Sequence, residues 1–485
     1  MSVDDLPTDR RVSGQRLRTV LGAWERPGPA YAALADGLRA AVLSGRLPLR
    51  TRLPSERELA EAVGVSRTTT TAAYDALRDE GYLLSRRGSG TVTTLPDRGT
   101  AGREAPDPLT PHDVVDLTIA APAAPPALHD AVVEALDLLP RHLPGTGYAP
   151  GGLPELRAAV AARYTARGVP TTPDQVLVTT GGQEAIHLLV TAHAGPGDRV
   201  LVEHPTYPHA LDAVRAAAAR PVAVPSGPDG LDLELFASTL RQAAPRLAYL
   251  IPDHRNPTGT SLTAETRVRV RELATRTRTL VVGDEALSDL TLDGTPPPPF
   301  AGDGTDAAVA CIGSASKTFW GGLRIGWVRA HRDLVGRLTT QRSHVDIGSS
   351  VIDQLVVVRL LDRLDAVLPQ RRAELRDRRD LVVGLLAQRL PDWRVEVPAG
   401  GLSLWVDLGL PVSSALAALA PRHGVRVAPG PAFGAEAGLE RHLRIPFTEP
   451  PERLVRAVDG LARAWTDLGL DAGGDVRAEP ASLVV

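Results

Sequence analysis

The sequence has almost no lysine. Lys and Arg together number 54 in 485 residues, and only Lys317 is a lysine. Heavy use of Ala, Arg, Gly and Pro accounts for the missing lysines but not for the one that is present. Arginine pairs with carboxylate and phosphate at least as well as lysine does, but it stays protonated. An amine that loses its proton can attack a carbonyl carbon, so Lys317 is predicted to form an imine.

Three other properties of the sequence exclude whole classes of protein. A single cysteine, Cys311, excludes an intramolecular disulfide and a clustered-thiolate zinc site, and it is typical of a reducing cytoplasm. No run of about 18 apolar residues could span a membrane, and the first residues, MSVDDLPTDRRVSGQR, lack the apolar stretch of a signal peptide. The net charge of -3 argues against a chain that coats nucleic acid along its length, but it permits a local DNA-binding module.

The length predicts two or three domains. Residues 95–113 are rich in Pro, Gly and charge without a hydrophobic period, and beyond Val114 apolar strand patterns alternate with helical patterns. We therefore predict an N-terminal module that is mainly α with a β-wing, followed by an α/β domain with a mainly parallel sheet. The predicted boundaries are a disordered segment at 1–23, the module at 24–94, a linker at 95–113, the α/β domain at 114–470 and a tail at 471–485.

Residues 30–94 carry the signals of a winged helix-turn-helix. One helical pattern (30–47) precedes two short helices around Gly64 (53–83) and two strands joined by a Gly-Ser-Gly turn (83–94). Ser55 and Glu58 have the spacing of a capping box, and Ser66 caps the second helix. Between residues 26 and 93, ten arginines face seven acidic residues. Because the second helix of such a motif enters the major groove, this module is predicted to bind DNA.

The module resembles the GntR-type winged-helix regulators through "LPSERELA", "GVSRTT", "AYDALRDEGYL" and "RRGSGT". The resemblance implies that the first helix, the recognition helix and the wing contact a double-stranded DNA operator. The predicted DNA-binding residues are Arg57, Ser66, Arg67, Thr68, Thr69, Thr71, Arg87, Gly88 and Ser89.

An imine-forming lysine suggests a cofactor aldehyde, and pyridoxal 5'-phosphate (PLP) is the leading candidate. Its phosphate needs backbone amides at a helix N-terminus. "QVLVTTGGQEAIHLLV" supplies a strand, a turn and a helix, which place Gly182 and Gln183 at that position. Ser314, Ser316 and Arg324 flank the lysine and complete the predicted phosphate site.

The other parts of a PLP site also have candidates. Asp284 ends an apolar strand in "TLVVGDEALSDL" and would pair with the protonated pyridine nitrogen. Tyr207 in "VEHPTYPH" would stack on the ring, and Asn256 in "PDHRNPTGT" would bond to the ring oxygen. Arg444 in "HLRIPFT" would bind the carboxylate of a substrate or effector. His209, two residues after Tyr207, is interpreted as a surface residue.

Residues 114–470 resemble the fold-type I PLP enzymes of the aspartate-aminotransferase family. "GGQEA", "HPTYP", "NPTG", "GDEAL", "SASKTFWGGLRIGW" and "HLRIPF" occur in that family's order. The resemblance implies that Lys317 forms the imine and that the other candidates have the roles given above. It also implies that Tyr148 reaches the phosphate of the neighbouring subunit, so that the protein is a homodimer. One departure is that Ala286 and Leu287 occupy the positions where the family has a tyrosine that bonds to the ring oxygen.

A winged helix joined by a linker to an aminotransferase-like domain resembles the MocR/GabR group of GntR regulators. The predicted function is a PLP-dependent transcriptional regulator that senses an amine or amino-acid effector, or PLP itself. The alternative is an active aminotransferase that carries a DNA-binding domain, because Lys317, Asp284 and Arg444 would permit transamination. A third interpretation is a DNA-binding module fused to a scaffold that binds no cofactor.

Overall fold

The structure is a computed structural model that describes residues 10–22, 24, 29–43, 46–48, 51–86, 90–94, 114–227 and 230–469. The chain divides into two compact units, residues 1–113 and 114–485. The predicted linker and tail, and the wing-tip residues Arg87, Gly88 and Ser89, lie outside the described residues.

The N-terminal unit is a helix-turn-helix with a small sheet. Its sheet has the strand order β1-β2-β4-β3, and its core includes Leu34, Leu59 and Leu77. The elements are β1 (Arg10–Arg11), α1 (Gly14–Leu21), α2 (Ala30–Leu43), β2 (Thr51–Arg52), α3 (Glu56–Val63), α4 (Arg67–Asp79), β3 (Leu83–Arg86) and β4 (Gly90–Thr93). Strands β3 and β4 pair antiparallel and form the predicted wing, while α3 and α4 form the helix-turn-helix around Gly64, which has a φ of 76°.

The prediction of a disordered segment at 1–23 is wrong for the residues from Arg10 onward. β1 pairs with β2, and α1 packs against α3 with Leu17 fully buried. Leu17 and Leu21 lie one turn apart, on the same side as Gly14, which gives this short helix one apolar face. The two helices approach closely at Gly14, where a Cβ atom would lie 2.9 Å from the Glu58 carbonyl oxygen.

This contact also changes the predicted capping box. The Ser55 hydroxyl accepts from the Glu58 backbone N–H, as the pattern predicts. The Glu58 carboxylate instead accepts from the backbone N–H of Gly14, at 3.1 Å. Glu58 therefore caps the neighbouring helix α1, because that N-terminal amide has no partner within its own helix.

The large unit consists of two sheets covered by helices. Its strands are β5 (Val115–Leu117), β6 (Val176–Thr179), β7 (Arg199–His204), β8 (Arg220–Gly227), β9 (Gly230–Leu231), β10 (Leu247–Leu250), β11 (Leu280–Asp284), β12 (Val309–Ser314), β13 (Gly326–Arg329), β14 (Arg394–Val395), β15 (Ser403–Asp407), β16 (Val425–Pro429) and β17 (His442–Pro446). Its helices are α5 (Ala127–Leu138), α6 (Pro154–Ala166), α7 (Gly182–His193), α8 (Pro208–Ala216), α9 (Leu233–Ala243), α10 (Ala264–Thr277), α11 (Ala315–Thr318), α12 (Arg332–Arg342), α13 (Val351–Asp362), α14 (Leu364–Arg389), α15 (Ser413–Leu419) and α16 (Pro451–Asp467).

The eight-stranded sheet has the order β6-β13-β12-β11-β10-β7-β8-β9. Strands β12, β11, β10, β7 and β8 run parallel, whereas β13 is antiparallel to both of its neighbours. Strands β10, β11 and β12 are buried on both faces, which explains their continuous apolar sequences. A mainly parallel sheet is therefore confirmed.

The second sheet has the order β14-β15-β17-β16-β5 and packs against α16. Strand β5 is the first described element after residue 113, and it pairs parallel to β16. The candidate cofactor residues Gly182, Gln183, Asp284, Ser314, Ser316 and Lys317 lie where β11 and β12 end and where α7 begins. Ligands of open parallel sheets bind at the carboxyl ends of the strands.

Within the described residues, no helix is both long enough and apolar enough to cross a bilayer.

Candidate functional site

Lys317 lies on the short helix α11, directly after the buried strand β12. Its Nζ atom donates to the backbone carbonyl oxygen of Ala120 at 2.9 Å. Burial, together with the nearby guanidinium groups of Arg444 and Arg324, lowers the pKa of the amine to about 8, although Asp284 opposes the shift. A larger fraction of Lys317 is therefore neutral near pH 7.5 than of an ordinary lysine, and the neutral form is the nucleophile.

The start of α7 lies against α11. A Cβ atom on Gly182 would lie 3.7 Å from the Ser314 Cβ, and one on Gly181 would lie 2.7 Å from Nη2 of Arg324. The Arg324 guanidinium also donates to the carbonyl oxygen of Thr180 at 3.2 Å. Any side chain at position 181 would collide with the Arg324 guanidinium. Because Gly181 has none, the guanidinium lies beside the first amides of α7.

Two polar side chains at this position have atoms without a partner. The Ser316 hydroxyl and the Gln183 Oε1 atom are buried and make no hydrogen bond within the described residues. The Gln183 side-chain amide donates to the carbonyl oxygen of His209 at 3.1 Å, and the Ser316 backbone N–H donates to the Ser314 hydroxyl. Helix amides, hydroxyls and a guanidinium thus come together, and these are the groups that bind phosphate in proteins.

Asp284 ends β11 and receives one hydrogen bond at each carboxylate oxygen. The Tyr249 hydroxyl donates to Oδ2 at 2.7 Å, and the Ala286 backbone N–H donates to Oδ1 at 3.0 Å. Burial raises the pKa of Asp284, and these two donors and Lys317 oppose that rise. The carboxylate is accordingly placed to hold a cationic ring nitrogen.

Arg444 lies on β17 and is 5% exposed. Its guanidinium donates to the Thr118 carbonyl oxygen and, at 3.4 Å, to Oδ1 of Asn256. The bond to Oδ1 leaves the Asn256 NH₂ group available for another acceptor. Burial lowers the pKa of Arg444 to about 10. Within the described residues no carboxylate oxygen lies at ion-pair distance from it, although Asp116 acts on it through its field, and its Nε atom is buried without a partner. A ligand carboxylate would fill that role.

Tyr207 is the residue directly before α8, and its side chain is partly buried. Burial and the field of Asp284 raise the pKa of its phenol to about 12. The phenol therefore stays neutral. The His209 ring packs edge-on against it at a centroid distance of 5.3 Å, and His209 is itself exposed beside Asp212. The tyrosine ring is available to stack on a planar ligand, whereas His209 is a surface residue, as the sequence suggests.

Tyr148 does not join this cluster in the single chain. Its side chain is 71% exposed. A Cβ atom on Gly348 would lie 3.1 Å from the Ala149 carbonyl oxygen, so the loop before α13 passes beside the Tyr148 segment. An exposed tyrosine here is compatible with the predicted role toward a neighbouring subunit.

The helix-turn-helix exposes part of the predicted DNA-binding set. Arg57, Arg67 and Thr68 are exposed at the starts of α3 and α4. The Ser66 hydroxyl accepts from the Thr69 backbone N–H at 3.0 Å and lies 2.8 Å from the Thr69 hydroxyl, so these two side chains cap α4. The Thr71 hydroxyl donates to Glu56 at 2.9 Å, which ties α4 to α3. The remaining predicted residues, at the tip of the wing, lie outside the described part of the chain.

Sequence reasoning missed Tyr249, Ala120 and Thr118. Tyr249 occurs in the apolar run "LAYL" and has the pattern of a core residue. Ala120 and Thr118 act through backbone carbonyl groups, which leave no trace in residue type. Only the packing of distant segments places these three beside Asp284, Lys317 and Arg444.

Comparisons with known proteins agree with both units. Residues 114–461 match the family "Aminotransferase class I and II", and residues 30–92 match "Bacterial regulatory proteins, gntR family". The probable rhizopine catabolism regulatory protein MocR of Rhizobium meliloti is 31% identical over 75% of this chain and 78% of its own. The uncharacterized HTH-type transcriptional regulator YisV of Bacillus subtilis is 28% identical over 84% of this chain and 90% of its own.

Among solved structures, LysN, the alpha-aminoadipate aminotransferase of Thermus thermophilus, was crystallised in complex with N-(5'-phosphopyridoxyl)-L-leucine. It covers 73% of this chain and 93% of its own with a TM-score of 0.68 and 28% identity. The chain therefore belongs to the aminotransferase class I and II family and, with its GntR-family module, to the MocR-type helix-turn-helix transcriptional regulators.

Proposed function

We propose that the protein is a PLP-dependent transcriptional regulator whose large unit binds an amino-acid effector. The observation that carries this proposal is the pairing of two groups in one site. Lys317 is an amine whose pKa is lowered to about 8, and Arg444 is a buried guanidinium that forms no ion pair with a carboxylate among the described residues. An effector with both an amino and a carboxylate group would engage both.

The residues present fit PLP. The unpartnered hydroxyl of Ser316 and the first amides of α7 suit a phosphate, and Asp284 suits a protonated pyridine nitrogen. When bound, PLP supplies an aldehyde that condenses reversibly with an amine. Lys317 would hold the cofactor, Tyr207 would cover its ring, and Asn256 would donate to its ring oxygen. The tyrosine that the family uses there is replaced by Ala286 and Leu287, so Asn256 acts without that second donor.

A backbone strap supports a link between ligand binding and the rest of the chain. We define the strap as residues 118–120, which follow β5 directly. Thr118 accepts a hydrogen bond from Arg444, and Ala120 accepts one from Lys317. A ligand carboxylate competes with Thr118 for Arg444, and a lysine nitrogen engaged by an aldehyde no longer donates to Ala120 as an ammonium group.

The cofactor therefore changes the Ala120 contact of the strap, and the effector carboxylate changes the Thr118 contact. The strap lies a few residues after the predicted linker at 95–113, which joins it to the DNA-binding module. Ligands shift a conformational equilibrium only through such differential contacts. The effector is predicted to alter DNA binding by this route.

A homodimer is part of the proposal. Apolar side chains are exposed on the neighbouring helices α5 and α13 and on the loop between α12 and α13; they are Val133, Leu136, Val345, Ile347 and Ile352. Tyr148 lies beside this loop. Exposed apolar groups that gather on adjacent elements mark an interaction surface, and a second copy would bring Tyr148 toward the site of its partner.

The first test is chemical. The protein is incubated with PLP, reduced with borohydride and digested. A phosphopyridoxyl group on Lys317, with loss of the visible absorbance in Lys317→Ala, supports the proposal. An unmodified Lys317 in PLP-treated protein would refute the proposed function.

The second test measures DNA binding. The wild type and Lys317→Ala are titrated onto upstream DNA of the protein's own gene, with PLP alone and with PLP plus candidate amino acids. An effector-dependent shift in the wild type that Lys317→Ala lacks supports the sensor role. A shift with PLP alone identifies the cofactor as the signal.

Aminotransferase activity is the second candidate function, because Lys317, Asp284 and Arg444 would permit transamination. Steady-state turnover of an amino acid with a keto acid distinguishes the two candidates. The missing tyrosine predicts slow turnover, and fast turnover would favour the enzyme.

A further inference from the structure

Tyr249 lies on β10, and its partner in the register of β11 is Val282. Asp284 lies two residues further along β11 and so has its side chain on the same face of the sheet. The tyrosine is 1% exposed, and its hydroxyl reaches Asp284 Oδ2 at 2.7 Å. The long tyrosine side chain extends along the sheet from the level of Val282 to the level of Asp284. Tyr249 therefore contacts the carboxylate from the neighbouring strand.

Tyr249 donates a hydrogen bond to Asp284, and its protonation state decides what that bond does. Burial raises its pKa well above the ordinary value, and the neighbouring carboxylate raises it further. The hydroxyl therefore keeps its proton at every working pH and acts as a permanent donor. A hydrogen bond to a carboxylate stabilises the ionised form.

The charged and titratable groups around Asp284 come from several elements. Lys317 on α11 favours its ionised form, while the adjacent Glu285 disfavours it. Tyr207, before α8, lies within its field, and Tyr249 donates from β10. An amine that is engaged by a cofactor aldehyde loses its ammonium charge, so Lys317 would then help less. The donors that persist in that state are the Tyr249 hydroxyl and the Ala286 backbone N–H.

We infer that Tyr249 is a positioning residue that keeps Asp284 ionised and oriented, so that a pyridine nitrogen bonded to this carboxylate stays protonated. This inference rests on the proposed binding of PLP. The hydrogen bond from Tyr249 makes the Asp284 carboxylate a weaker base, so a proton between this carboxylate and a bound ring nitrogen would reside on the nitrogen. Without the hydroxyl, the buried carboxylate competes for that proton.

The test compares Tyr249→Phe with the wild type, both loaded with PLP that carries ¹⁵N in its ring. The ¹⁵N chemical shift and the visible absorbance are followed as functions of pH. In Tyr249→Phe the ring nitrogen is expected to lose its proton at a pH lower by about one unit or more, a change of about tenfold in the protonation equilibrium. The affinity for PLP is expected to fall with it.

Tyr164→Phe is a matched control. Tyr164 is also buried, and its hydroxyl donates to the carboxylate of Glu285 at 2.9 Å. Glu285 follows Asp284 in the chain but is not assigned to the cofactor. Tyr164→Phe loses the same kind of hydrogen bond, and its ring nitrogen should titrate as in the wild type. Added to Asp284→Asn, Tyr249→Phe should cause no further change.

Three outcomes overturn the inference: an unchanged nitrogen titration in Tyr249→Phe, an equal shift in Tyr164→Phe, or an undiminished effect in the Asp284→Asn background. Tyr249→Met, which fills the space without a hydroxyl, replaces the phenylalanine variant if that variant does not fold, with the same outcomes expected. Failure of the wild type to bind PLP would refute the proposed function instead, so the two failures are distinguishable.

Discussion

In the N-terminal unit, Arg57 and Arg67 extend into solvent at the starts of two helices. In the large unit, Arg267 and Arg342 are among the largest fully buried side chains. Arg267 donates to the carbonyl oxygens of Leu262 and Pro252 and pairs with Asp253. The same side chain thus serves as a surface cation in one unit and as an internal cross-link in the other.

The difference teaches what the lone lysine is for. A guanidinium has five donors in a fixed plane, so it satisfies several acceptors when buried and contacts phosphate when exposed. Neither task needs a neutral form. Among the described residues, Lys317 has one hydrogen-bond partner, a carbonyl oxygen, and its pKa is lowered. Chemistry that requires loss of a proton is the task that arginine does not perform.

The largest effect is expected at Lys317. Lys317→Arg keeps a cation but removes the nucleophile, so the variant is expected to lose covalent PLP completely. Mass spectrometry after borohydride reduction measures this loss. DNA affinity without effector should match that of the wild type, because the helix-turn-helix is untouched. Covalent PLP that persists in Lys317→Arg would contradict the conclusion that imine formation requires a lysine at this position.

Breaking a buried cross-link is expected to cost stability. Arg342 donates to Asp346 at 2.7 Å and to Ser349 at 2.7 Å, and it pairs with Glu184 at 3.1 Å. Arg342→Leu leaves these carboxylates without their cation, so the free energy of unfolding of the large unit should fall by about 3–5 kcal/mol. Urea unfolding measures it.

The control for Arg342→Leu is Arg269→Leu. Arg269 forms a half-exposed pair with Glu272 on α10, which is expected to contribute about 0–1 kcal/mol. Similar losses in the two variants would show that burial does not decide the role of arginine in this unit.

A buried histidine gives a pH-dependent effect. His254 bonds to Thr291 at 2.9 Å, and burial together with Arg267 and Arg372 lowers its pKa to about 4. The unfolded chain binds the proton first, near pH 6.5, so this contribution to stability is lost as the pH falls from about 6.5 to 4. The loss amounts to about 3 kcal/mol over that range.

Urea unfolding at several pH values compares the wild type with His254→Asn. Asparagine tolerates the positive φ of 45° at this position and does not titrate. The slope of stability against pH should be smaller in His254→Asn, whatever its absolute stability. Equal slopes would place the acid sensitivity elsewhere.

The smallest effect is expected at the exposed arginines. Arg67→Ala should weaken DNA binding by about 1–3 kcal/mol if the side chain reads a base, and it should change stability by less than about 0.5 kcal/mol. Arg57→Ala should reduce the dependence of affinity on salt by about one ion. Titrations of DNA at several salt concentrations separate the two. A loss of stability in either variant that approaches that of Arg342→Leu would contradict the distinction between exposed and buried arginines.

Much of the architecture follows from local pattern. The apolar runs that end at Asp284 and Ser314, and the Gly-Gly turn before α7, occupy the strand and helix ends that their sequences predict. Residues 10–22 were wrongly predicted to be disordered because α1 is only eight residues long, with three of them on its buried face. So short a helix is stable only through its packing on α3.

The sequence by itself determined the two units, the order of their motifs and the single residue able to form an imine, because these depend on residue type and spacing. Tertiary structure alone decided that Tyr249 supports Asp284, that Glu58 caps α1 and that two backbone carbonyls bind Lys317 and Arg444. Each of these contacts joins segments far apart in the chain. Hydrogen bonds between distant groups depend on how the sheet registers and helices pack, which no local pattern encodes.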